Sequence, residues 1–164
     1  MMTYVRKWQN NSANNYLVVI FRIIVGGIFV LAGVSKLIAP LAEFIAVADA
    51  WGILPDPWLT LYAWTLPWAE VIFGLGLVVG AWHRLSAAMV GLMIVSFLVG
   101  IEINFFRGKE LVDCGCFGQL FSLGETFQEL WWRDVALLLM TAWIGLMPKP
   151  LKWSVDGWLT KSKV

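Results

Sequence analysis

The chain holds two cysteines in 164 residues, one residue apart in Asp113-Cys114-Gly115-Cys116-Phe117-Gly118. Two thiols at that spacing have three chemical uses. They close a disulfide with each other, take one from a partner protein, or bind a soft metal ion. Gly115 and Gly118 flank Cys116 and permit a sharp turn that a Cβ would obstruct. Disulfide Cα atoms usually lie about 4.4–6.8 Å apart, a range that an i,i+2 pair reaches through a glycine, in a small and strained ring. Strained, exposed disulfides are comparatively oxidising and labile. Arg107 and Lys109 favour the thiolate and Asp113 opposes it. No metal site is expected. Two thiolates need further ligands, and the only histidine, His83, is predicted at the opposite membrane face. The plainer alternative is that both sulfurs pack as small apolar groups under a tight loop.

A second set of reactive types lies inside apolar runs: Arg22, Lys36, Glu70, Glu102, Arg133 and Asp134. An ionisable group within a membrane span is costly unless paired or wet, so each one implies a partner. Apart from Arg22, these charges are expected at one level, beneath the cysteines. Lys36 with Glu70, and Arg133 with Glu102, are the expected pairs. Together they form either an ion-pair network that locks the helices or a polar floor that tunes the thiols or binds a polar group.

The elements that hold these residues follow from hydropathy. Apolar residues make up 60 % of the chain and charged residues 14 %, against roughly 25 % charged in soluble domains. A spanning helix needs about 20 mostly apolar residues. Residues 16–38, 57–82, 85–105 and 131–147 supply four such segments. The expected fold class is therefore all-α: a polytopic membrane protein, a four-transmembrane-helix bundle forming a single domain over residues 1–164, with a short tail from 148. Residues 40–54 are too short to span and carry Glu43 and Asp49, which predicts an interfacial helix in the first outer loop. Asp56-Pro57 reads as an N-cap with proline at the first helical position. Pro67 predicts a kink in the second span.

Small residues suggest where helices touch: Gly26, Gly27 and Gly33, then Gly76 and Gly80, then Ala87, Gly91, Ser96 and Gly100. Ten of the eleven tryptophans fall into two groups, Trp51, Trp58, Trp64, Trp68, Trp131 and Trp132 at one interface and Trp8, Trp82, Trp153 and Trp158 at the other. That is the pattern of aromatic belts.

The basic residues orient the bundle. Arg6, Lys7, Arg84, Lys149, Lys152, Lys161 and Lys163 fall on one side, and Lys36, Arg107, Lys109 and Arg133 on the other. The positive-inside rule then puts both termini in the cytoplasm and the cysteine loop outside, in an oxidising compartment. The polar run of residues 10–15 separates Arg6 and Lys7 from the apolar stretch, so a retained first helix is expected rather than a cleaved signal. The net charge of +1 points to no nucleic acid.

These residues resemble a family. Arg22, Gly26, Phe29, Ala32-Gly33 and Lys36 recur in the first span, and Leu66-Pro67-Trp68, Glu70, Gly74 and Gly80 in the second. Arg107-Gly108, the CGCFG string and Trp132-Arg133-Asp134 complete the pattern. Together they resemble the DoxX superfamily of small four-helix membrane proteins, and CGCFG points to its branch related to the methylamine-utilisation protein MauE. The resemblance implies a redox-associated protein of the bacterial inner membrane. It implies a thioredoxin-like periplasmic partner and work in the maturation of disulfide-containing proteins.

The expected function is thiol–disulfide exchange by Cys114 and Cys116, with Lys36, Glu70, Glu102, Asp113, Arg133 and Asp134 in support. One dithiol has two electron routes. Electrons pass between the dithiol and a quinone bound beneath the loop, or the dithiol exchanges a disulfide between two protein partners with no net oxidation. The other functional class is a non-catalytic scaffold for a secreted or membrane enzyme complex, in which neither sulfur need react.

Overall fold

The computed structural model describes residues 12–108 and 127–146. Within them lie five helices: α1 (Ser12–Ile38), α2 (Leu41–Ala50), α3 (Trp58–Val79), α4 (His83–Phe106) and α5 (Phe127–Leu146). No strand occurs among the described residues. Tyr16–Ile38, Trp58–Val79 and His83–Phe106 are each long and apolar enough to cross a membrane. The chain is a membrane protein. α5 is 20 residues long, about 30 Å of helix, but its first two turns carry Glu129, Arg133 and Asp134 and dilute its apolar character.

The long helices run up and down. α1 packs chiefly on α3, and α5 on α4. The pairing of α1 with α3 is antiparallel: Gly33 faces Pro67 and Glu70, Gly26 faces Gly74, and Arg22 reaches Leu77 and Val78. Two backbones meet there. A Cβ added at Gly26 would stand 2.7 Å from the Gly74 carbonyl oxygen, and one at Gly74 would stand 3.0 Å from that of Gly26. Only glycine admits this approach. Gly27, next in sequence, has nothing within 4 Å of its Cβ position and takes no part in the contact. Gly80 does not continue the small-residue seam either. It adopts φ 75° at the C-cap of α3, the left-handed conformation that ends helices, with its N–H bonded to the Gly76 carbonyl.

One local expectation holds and one is corrected. The expected helix at 57–82 runs from Trp58 to Val79 and continues through Pro67. Asp56 does not cap it. Pro57 occupies the N-cap position, and the first N–H groups, of Trp58 and Leu59, bond to the Pro55 carbonyl at 3.0 and 3.3 Å. With those donors satisfied by backbone, the Asp56 carboxylate accepts from Thr60 Oγ1 instead, at 3.5 Å.

α2 lies against α3, and its end is fastened to α4. The Trp51 ring sits on Gly100, where any Cβ would strike it. Arg107 Nη1 donates to the carbonyls of Trp51 and Gly52, both at 3.1 Å. The core is apolar and shared by the four long helices, with Val25, Phe29, Leu77, Val90, Phe97, Leu137 and Ile144 buried at its centre. The outward faces carry exposed Ile20, Leu31, Ile72, Leu92 and Leu139. In water such a surface would be unstable, and it is the expected face toward lipid. Trp58, Trp64, Trp68 and Trp132 are exposed, as is Trp82 near the other end.

Candidate functional site

The site is built where the C-terminal half of α1 meets the middle of α3. Lys36 lies in the last turn of α1 and Glu70 one turn beyond Pro67. Gly33, one turn before Lys36, brings α1 against the Glu70 backbone: its Cβ position is 3.0 Å from Glu70 Cβ. Lys36 Nζ donates to Glu70 Oε1 at 2.6 Å, and both side chains are only 1 % exposed. The expected pair is thus present, but deep in the bundle rather than at a wet edge. The ammonium also lies 5.5 Å from the Phe44 ring centroid and 5.4 Å from that of Phe97. A cation over aromatic faces gains about 0.5–2 kcal/mol each when desolvated. Lys36 is therefore held by one anion and two rings, from α3, α2 and α4.

Asp134 of α5 approaches the same region. Glu70 and Asp134 both line a cavity of about 20 Å³ whose apolar wall includes Phe29, Ile94, Phe97 and Leu137. Arg133 Nε donates to Asp134 Oδ1 at 3.3 Å. The second expected pairing is corrected: Glu102 Oε1 accepts from Trp131 Nε1 at 2.9 Å, and Arg133 contacts its neighbour Asp134. An indole N–H two residues before the arginine faces α4 and takes the acceptor at no desolvation cost of a second charge.

Cys114, Cys116 and Asp113 lie outside the described residues, as does Lys109. The segment that contains them joins α4 to α5, so its two ends leave from the same end of the bundle as Lys36, Glu102 and Arg133.

Two further buried polar residues lie at the opposite end of the bundle. Arg22 is 1 % exposed. It donates from Nε to the Leu77 carbonyl at 2.8 Å and from Nη2 to that of Val78 at 3.2 Å. Those are last-turn acceptors of α3, and a cation there also meets the negative end of the helix dipole. His83 begins α4 and is fully buried. Among the described residues no group of three or more metal-ligating side chains occurs.

A family model described as Methylamine utilisation protein MauE matches residues 14–147. The curated protein of that name from Paracoccus denitrificans is 34 % identical over 96 residues, which are 58 % of this chain and 51 % of that protein. The one from Methylophilus methylotrophus is 27 % identical over 119 residues, 72 % of this chain and 63 % of that protein. The one from Methylorubrum extorquens is 38 % identical over 76 residues, 46 % and 40 %. The chain spans about half the length of the curated relatives it matches. No solved structure matches.

Proposed function

The chain belongs to the MauE family, and on that premise we propose that it is a membrane redox protein whose Cys114–Cys116 pair exchanges disulfides with a thioredoxin-like partner. The observation that carries the reading is the pair itself: the only two sulfhydryl residues of the chain, one residue apart, in the segment between α4 and α5. The relatives are named for methylamine utilisation, and the role we assign is maturation of disulfide-containing proteins in that setting. α5 is the fourth span and α2 lies at the outer interface, where its Trp51–Arg107 fastening holds it against α4. The bundle sits in the bacterial inner membrane with both termini in the cytoplasm.

The chemistry is balanced within the exchange. A thiolate of one cysteine attacks a sulfur of the partner's disulfide, and the partner's other sulfur leaves as a thiolate. The second cysteine then attacks the mixed disulfide, forms Cys114–Cys116 and releases the reduced partner. The pair is then reduced again for the next turnover: a quinol supplies two electrons and two protons and leaves as quinone, or the dithiol of a second protein attacks Cys114–Cys116 and takes over the disulfide. Cys116 is the attacking residue, being farther in sequence from Asp113 and set between two glycines.

Non-reducing gels of single-serine variants, expressed with periplasmic neighbours, test this. Cys114→Ser, which lacks the resolving thiol, accumulates a covalent complex with its partner, and Cys116→Ser forms none. Full activity in both variants with no trapped species in either sinks the redox reading and leaves the scaffold. Orientation has its own check. A membrane-impermeant thiol reagent, applied to intact spheroplasts after mild reduction, labels the cysteines; labelling only after the membrane is breached reverses the topology.

A further inference from the structure

The Lys36–Glu70 pair uses only half of the carboxylate. Glu70 Oε1 accepts from Lys36, while Oε2 is buried with no hydrogen-bond partner among the described residues. A buried acceptor in that state calls for a donor. The same carboxyl lines the cavity of about 20 Å³, and Asp134 lines it too. A cavity holds a water once it offers roughly 10–15 Å³ and two or more polar partners. Both conditions are met, and the free space suits one molecule. Charge favours a neutral occupant. Lys36 contacts Glu70 and Arg133 contacts Asp134, so two cations already balance two carboxylates. α4 contributes only apolar Ile94 and Phe97 to the wall.

We propose that this cavity is an internal water site. One water donates to Glu70 Oε2 and to Asp134, and so joins Lys36, Glu70, Asp134 and Arg133 into one hydrogen-bonded path. Exposure rises along it, from 1 % for the side chains of Lys36 and Glu70 to 7 % for Asp134 and 25 % for Arg133. The path therefore runs from the bundle interior to its edge. Intramembrane carboxylates linked in this way are the components of proton relays. The inference stands on the cavity and the unsatisfied oxygen, and holds whether or not the cysteines exchange disulfides.

Millisecond hydroxyl-radical footprinting of the full chain in lipid nanodiscs, in ¹⁸O water, reads such a site directly. Radicals born at a bound water label its neighbours. Phe29 and Phe97 should take up ¹⁸O although both are buried, while Leu77 and Ile101, buried away from the cavity, should not. The Lys36→Met/Glu70→Met double variant removes the anchor without leaving a lone charge, and labelling of both phenylalanines should fall about tenfold, equivalent to about 1.4 kcal/mol of lost water binding. Asp134→Leu, with the same expected loss, serves if the double variant does not fold. Unlabelled Phe29 and Phe97 in the parent protein would show a dry cavity and overturn the proposal. Labelling undiminished in the folded variants, or equal labelling of Leu77 and Ile101, would overturn it as well.

Discussion

Glu70→Leu destabilises the bundle by about 3–5 kcal/mol, the cost of leaving one member of a buried ion pair uncompensated. Lys36 would keep its place between Phe44 and Phe97, but two ring faces do not replace an anion at 2.6 Å. Against a total stability of about 5–15 kcal/mol for typical proteins, that loss is severe. Sequence alone suggests a smaller effect, because charges near a helix end reach water by snorkelling. The structure removes that escape, since both side chains are 1 % exposed. The Lys36→Met/Glu70→Met double variant should behave differently. Replacing both charges with apolar groups of similar length is often neutral or stabilising, so its stability should lie within about 1 kcal/mol of the parent, or above it. Thermal or denaturant unfolding in mild detergent compares the three proteins. Equal stability of Glu70→Leu and the parent would mean that the pair contributes nothing.

Gly33→Val is the second large effect, expected to cost about 3 kcal/mol, the upper range for overpacking. Even the first carbon added there would stand 2.7 Å from Val71 Cγ2 and 2.8 Å from the Pro67 carbonyl oxygen. The valine methyl can turn away, but the backbone oxygen cannot. Relief comes only if α1 and α3 separate, and separation lengthens the Lys36–Glu70 contact one turn away. Gly27→Ala is the matched control. Nothing lies within 4 Å of its Cβ position, so it should gain about 0.5–1 kcal/mol from helix propensity. If both substitutions shift unfolding by the same amount and sign, the close α1–α3 seam is absent. Loss of activity in Gly33→Val with stability intact would instead locate its role in the spacing of the charged site.

What hydropathy and charge could determine was the existence of the apolar helices and the residues that must find partners within them. Arg22, Lys36 and Glu70 stand out as ionisable groups in runs that otherwise suit lipid, and desolvation demands that each be satisfied. Pairing Lys36 with Glu70 was legible because opposite charges at one level of neighbouring spans have few other choices. The partner of Glu102 was not, because an indole N–H carries no formal charge and Trp131 reads as an interfacial anchor until α5 is docked. Arg22 shows the same limit. Its acceptors are the Leu77 and Val78 carbonyls, and every residue has a carbonyl, so no pattern of residue types marks which ones a helix end leaves open. Gly26 and Gly27 are identical in sequence terms, yet one meets the α3 backbone and the other faces open space. A helix turns 100° per residue, and only its docked rotation decides which glycine lies in the contact. Residue types and their order therefore specify the apolar spans, the cysteine pair and the need for a buried counter-ion. Tertiary structure decided the depth of the ion pair, the fastening of α2 through Trp51 and Arg107, and the cavity between Glu70 and Asp134. Those depend on distances between helices, which side-chain shape and backbone approach set only once the bundle has closed.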